Sequence, residues 1–282
     1  MEGRAAAPAA GTVVNALANG YGSAFAIDAY TEATVALDGS GEVIGEVAGA
    51  PDADTGLIER CVERCVERFG DGEGGHVRTE SEVPMASGLK SSSAAANATV
   101  LATLDALGAA DAVDREDACR IGVGAARDAG VTVTGAFDDA SASMLGGVTV
   151  TDNTEDELLR RDEPAWDVLV YTPDERSFST DADVARCERV APTADVVRDL
   201  ALDGDYERAM GVNGFAFCAA LGYPSDPIVE AMPGCAASLS GTGPSYTAVG
   251  DRETLQRLED TWSEQEGHTW LTTTQQTGAT VR

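Results

Sequence analysis

Pro84-Met85-Ala86-Ser87-Gly88-Leu89-Lys90-Ser91-Ser92-Ser93-Ala94-Ala95-Ala96 holds the only lysine of a 282-residue chain. All the other basic side chains, among 19 in total, are arginines. The stretch combines a Gly-Leu turn, three hydroxyls and an alanine run that predicts the start of a helix. Backbone N–H groups at a helix start, flanked by hydroxyls and one point cation, suit a phosphate. The same residues also fit a plain helix start with serine caps. The order is not a Walker A loop, because Gly-x-x-x-x-Gly-Lys-Ser/Thr does not fit. Nor is it a dinucleotide fingerprint, because Gly-x-Gly-x-x-Gly is missing.

Outward from this stretch, three more segments could carry chemistry. Thr134-Gly135-Ala136-Phe137-Asp138-Asp139 sets adjacent carboxylates after a glycine turn. They could hold a metal, accept a proton from a hydroxyl, or simply cap a turn. Their small and apolar neighbours imply a partly dry wall, where ionising both needs a cation nearby. Leu239-Ser240-Gly241-Thr242-Gly243-Pro244-Ser245 is a glycine-rich loop able to present N–H groups. Asn19-Gly20-Tyr21-Gly22-Ser23-Ala24-Phe25-Ala26-Ile27-Asp28 frees the backbone between apolar segments.

Periodicity supplies the frame. Residues 11–49 are strand-rich, with a hairpin expected across Asp38-Gly39-Ser40-Gly41 between 34–37 and 42–47. Helices are expected over 55–69, 92–107 and 114–129, the last with Asp114 as N-cap, and a strand over 76–83. A strand is expected near 146–150, and the polar run 151–164 reads as a join between two domains. Beyond it, strands are expected at 167–171 and 246–250, with helices at 194–202, 205–221, 227–232 and 255–266, and 236–240 leads into the glycine-rich loop. The interleaving places the chain in the α+β or mixed α/β class.

Composition excludes several roles. A net charge of −29 argues against nucleic acid as a partner, since phosphate backbones would be repelled. The scattered acids and the scarcity of lysine fit a solvated surface adapted to high salt. No apolar run approaches the ~18 residues of a membrane span. Met1-Glu2-Gly3-Arg4 does not open a signal peptide, so a cytoplasmic setting is expected. Cys61, Cys65, Cys119, Cys187, Cys218 and Cys235 lack zinc spacing and suit buried thiols. His76 and His268 are the only histidines, which disfavours a histidine-centred triad.

Taken in order, the four segments resemble the GHMP kinases. Pro84, Gly88-Leu89 and Ser91-Ser92-Ser93-Ala94 resemble that superfamily's Pro-x-x-x-Gly-Leu-x-Ser-Ser-Ala phosphate loop. Gly135 to Ala140 is similar to its segment with the catalytic aspartate, and Ser240 to Ser245 to its third glycine-rich motif. The wording at 22–28, 86–98 and 131–140 is most similar to the archaeal type of shikimate kinase. The resemblance implies a two-domain fold. A ribosomal-protein-like N-terminal α/β domain would occupy 1–155 and a ferredoxin-like domain 156–282. It also implies ATP with Mg²⁺, and shikimate phosphorylated at its 3-hydroxyl. Nucleotide binding falls to Pro84, Met85, Ala86, Ser87, Gly88, Leu89, Lys90, Ser91, Ser92, Ser93, Ala94 and Ala95. Asp138 and Lys90 become the catalytic residues, and Ser92 and Asp128 the Mg²⁺ ligands. One departure stands out: many relatives carry a lysine in the first motif, where this chain has Gly11-Thr12-Val13-Val14-Asn15. Another kinase of the superfamily, such as a homoserine kinase, or a non-catalytic nucleotide-binding module remains open on these residues.

Overall fold

The computed structural model describes residues 1–132, 136–174 and 182–282. Among the described residues, the first half is built of β1 (Glu2–Val14), β2 (Tyr21–Asp38), β3 (Val43–Val47), α1 (Gly56–Phe69), β4 (Gly74–Ser81), α2 (Ser91–Ala106), α3 (Arg115–Asp128), α4 (Phe137–Leu145), β5 (Val148–Asp152) and β6 (Glu157–Asp162). The long strand β2 organises them. It pairs with β1 along one side, while its start pairs with β5 and its later part with β4. Helix α2 lies on β1 and β2 beneath α1, α3 and α4. It has no polar face, as its central position requires, and its alanines allow the neighbours to close in.

Two expectations are corrected here. The turn after β2 does not close a hairpin, because β4 sits between β2 and β3. Strand β3 pairs with β4 in parallel, Val43 opposite Gly75, with α1 as the crossover. In this arrangement Leu57, Ile58, Cys61, Val62, Cys65 and Val66 of α1 are buried in the core beside the sheet. The polar run taken as a join holds β6, paired antiparallel with β5. As an edge strand with no fully buried side chain, β6 shows no hydrophobic alternation. It follows residue 155 yet stays in the first sheet.

The second half contributes β7 (Asp167–Thr172), α5 (Val184–Cys187), α6 (Ala191–Asp203), α7 (Tyr206–Leu221), α8 (Asp226–Ala231), β8 (Ala236–Leu239), β9 (Tyr246–Gly250), α9 (Arg252–Trp262) and β10 (His268–Thr273). Its antiparallel sheet has the order β10-β7-β9-β8, a ferredoxin-like arrangement. The last strand, β11 (Thr280–Val281), returns to pair with β1. A shared core of Phe25, Ile27, Val148 and Val150 with Val168, Val170, Met210 and Val249 joins the two sheets. The six cysteines are free, and burial pushes the Cys65 thiol up to about 12. Among the described residues, no helix is long and apolar enough to cross a membrane.

Candidate active site

Two helix N-termini meet at one hollow. Helix α2 starts after Lys90 and α4 starts after Ala136, both in the left-handed region (φ 63° and 52°). Ala86 in the preceding loop is left-handed as well (φ 58°). Such backbones cost ~1–3 kcal/mol each in a residue with a Cβ and persist only where surrounding contacts enforce them. Those contacts are present. The Ser87 carbonyl accepts from the Ser245 N–H (3.1 Å), and the Gly88 carbonyl accepts from the Ser240 hydroxyl (2.8 Å). Gly88 has φ +85°, and a Cβ there would lie 2.4 Å from the Ser240 carbonyl oxygen, so only glycine fits. The phosphate-type loop is thus riveted to the third glycine-rich loop.

The Lys90 side chain makes no capping bond to α2, and the first N–H groups of an α-helix have no partner within the helix itself. Lys90 and Asp139 form an ion pair, with Nζ 2.9 Å from Oδ1 and both side chains largely buried. Asp138 and Asp139 occupy the first turn of α4, where the helix dipole favours negative charge. Lys90, Asp138 and Asp139 line one hollow with Thr12, Asn15 and Gly241. A second hollow opens beside Ser92 and Ser93 and shares Asp139 with the first. Burial raises the pKa of Asp138 above the ordinary carboxylate range, and the charge of Asp139 raises it further. Lys90 and a hydrogen bond from Asn153 work the other way.

Sequence relatives fit this geometry. Residues 56–147 match the GHMP kinases N terminal domain. A shikimate kinase of Halobacterium salinarum is 65% identical over 281 residues, covering 99% of each chain. The chain belongs to the archaeal shikimate kinases of the GHMP kinase superfamily. A shikimate kinase of Methanococcoides burtonii is 52% identical over 264 residues, covering 92% of this chain and 91% of its own. Among solved structures, a homoserine kinase from Cytophaga hutchinsonii superposes with a TM-score of 0.80 at 17% identity, covering 100% of this chain and 97% of that one. The Methanococcus jannaschii mevalonate kinase gives 0.76 at 14%, covering 98% of each. At such identities these two likenesses show the fold.

Not every expected site residue gathers here. Leu89 and Ala94 are buried in the core, so only their backbones can meet a ligand. Ser87 is tied back to the Pro84 carbonyl, whereas Met85 is exposed. Asp128 lines neither hollow. Its carboxylate accepts from Arg60 and Arg64 of α1 (2.8 Å each), and these two hold its pKa down at about 2. The structure therefore gives Asp128 a tie between α3 and α1, and Asp139 is the carboxylate that shares a hollow with Ser92. Thr134 and Gly135 lie outside the described residues. Among the described residues, no arginine lines either hollow.

Three contributors were missed in the sequence. Thr12 and Asn15 come from the segment noted only for lacking a lysine, and both reach the third glycine-rich loop. Thr12 accepts from the Gly241 N–H (2.8 Å), and Asn15 donates to the Gly241 carbonyl (2.7 Å). Asn153, from the run read as a join, donates to Asp138.

The donor set suits Mg²⁺ arriving with a nucleotide. Among the described residues no cluster of three His, Cys, Asp or Glu side chains could cage a metal. Mg²⁺ bound through phosphate oxygens and water needs only one or two protein oxygens, which Ser92 and Asp139 can supply.

Proposed function

We propose that this chain transfers the γ-phosphoryl group of ATP to the 3-hydroxyl of shikimate. Identity of 65% to a shikimate kinase along the whole length supports the acceptor. The observation that carries the chemistry is the single hollow lined by Lys90, Asp138 and Asp139 at the head of α2. The N–H groups of the first turn of α2 hold the phosphates, and Ser91, Ser92 and Ser93 add hydroxyl donors. Ser92 and Asp139 are the residues that would hold Mg²⁺, whose chemistry is to neutralise phosphate charge. Asp138 orients the acceptor hydroxyl and takes its proton. A carboxylate with a raised pKa is a better proton acceptor than an ordinary one. Lys90 offsets the charge that gathers there and takes over the task of the lysine missing from the first motif. Asp139 keeps it in place. Thr12, Asn15 and the 240–245 loop close the remaining wall. Phosphoryl transfer asks mainly for position and electrostatics, and this site offers both.

A side-by-side assay of ADP release with shikimate, homoserine and mevalonate tests the acceptor. Turnover with shikimate alone is expected. Turnover with homoserine and none with shikimate would refute it. Asp138→Asn should lower kcat by ~10²-fold or more while leaving the KM for ATP largely intact.

A further inference from the structure

We propose that Asn153 is a positioning residue for phosphoryl transfer, gripping Asp138 by its carboxylate and by its backbone at once. The proposal rests on Asp138 being the proton acceptor described above. Asn153 follows β5 at the start of the turn into β6 and is buried (3% exposed). Its Nδ2 donates to Asp138 Oδ1 at 2.7 Å. Its Oδ1 accepts from the Asp138 backbone N–H at 3.0 Å and from the Thr151 hydroxyl at 2.8 Å. Two donors on one side fix which end of the amide is oxygen, so the nitrogen must face the carboxylate. The Asn153 backbone N–H is itself tied to the Gly20 carbonyl (2.9 Å), just ahead of β2.

A helix cap alone would need only the carbonyl oxygen of Asn153. The bond from the amide nitrogen to the carboxylate has no part in capping. It engages Oδ1 and fixes the carboxylate plane. On the opposite side Oδ2 lies against Gly22, where a Cβ would come within 2.3 Å. The carboxylate is therefore held between an amide and a bare backbone. The charged groups facing it are Asp139 on α4 and Lys90 at the head of α2, while β2 and the end of β5 present Gly22 and Asn153.

Three variants test this against a purely structural role, read by the split between kcat and KM, with folding checked by circular dichroism. Asn153→Asp keeps the acceptor for the Asp138 N–H and the Thr151 hydroxyl, loses the donor and sets a second carboxylate against Asp138. That added charge disturbs the site under either role, so the variant is read beside Thr151→Val, for which a capping role predicts near-normal turnover. For Asn153→Asp the proposal predicts kcat lower by ~10-fold or more with KM for ATP within about twofold. Asn153→Ala should behave likewise. Thr151→Val keeps the shape and removes the hydroxyl that orients the amide. It should lower kcat by less, again with KM for ATP little changed, and it decides the matter if the Asn153 variants do not fold. Unchanged kcat in folded Asn153→Asp, or in Thr151→Val, overturns the proposal. Asp138→Asn separates the two readings. If it is inactive while the Asn153 variants are normal, only the role of Asn153 fails. If it retains turnover, the role of Asp138 fails and takes this one with it.

Discussion

Gly22→Ala is the most economical perturbation of the site. Gly22 sits in β2 opposite Thr151 of β5. An added Cβ would stand 2.3 Å from Asp138 Oδ2 and 2.5 Å from its Cβ and Cγ. Ordinary contact lies near ~3.5 Å, so the carboxylate must retreat by about 1 Å. It cannot retreat freely, because Asn153 holds it at 2.7 Å. A misplacement of about 1 Å costs ~10²-fold in rate. The overpacking costs ~1–3 kcal/mol, partly offset by the ~0.5–1 kcal/mol gained when alanine replaces glycine in a strand. The rate effect therefore exceeds the stability effect. Steady-state ADP release under saturating ATP and shikimate, beside a urea melt, reads both. The expected variant is folded, binds ATP normally and turns over ~100-fold more slowly. A folded Gly22→Ala enzyme with kcat within about twofold of the parent (against the ~10²-fold cost of misplacement) would refute the packing argument.

Three further outcomes follow from the same geometry. Lys90→Met strands the Asp139 carboxylate and removes the cation that favours ionised Asp138. Urea melts should show a loss of ~3 kcal/mol or more, and the acid limb of kcat should move to higher pH; an unmoved limb would detach Lys90 from Asp138. Asp128→Asn should leave the Mg²⁺ dependence of turnover unchanged and lower the urea midpoint slightly at neutral pH. Because the folded pKa of Asp128 is depressed to about 2, its ion-pair contribution is present above the unfolded value and lost as pH falls through about 2. A markedly weakened Mg²⁺ response would return Asp128 to the site. Finally, the charge of −29 predicts loss of secondary structure and activity as salt is withdrawn, followed by circular dichroism; full activity without added salt would contradict a salt-adapted surface.

How much of this was legible depended on where the signal lay. The Lys90 stretch stood out because a lone lysine and an alanine run are both visible in one dimension. Helix α1 and helix α3 with its Asp114 cap were equally plain, since an apolar stripe and a capping carboxylate are local features. Helix α4 was hidden: it is nine residues long, begins at a left-handed alanine, and the side chain that accepts from its first turn, Asn153, lies beyond the helix. Strand order was also illegible around β3, because an insertion of β4 beside β2 leaves no mark on the turn at 38–41. The partners of Asp128 were not legible, since position along a helix does not say whether a side chain meets α1 or the hollow; it pairs with Arg60 and Arg64. Asn153 had no signal at all. Its value comes from a contact with Asp138 that only the fold creates, and it opens a strand pair whose polar sequence reads as a linker.

A crystal structure with shikimate and a non-hydrolysable ATP analogue tests the central claim most directly. The account predicts phosphates against the N–H groups of Ser91–Ser93 and the shikimate 3-hydroxyl within hydrogen-bond reach of Asp138, ~2.6–3.2 Å. Phosphates bound away from the head of α2, or a 3-hydroxyl turned toward some other base, would contradict it.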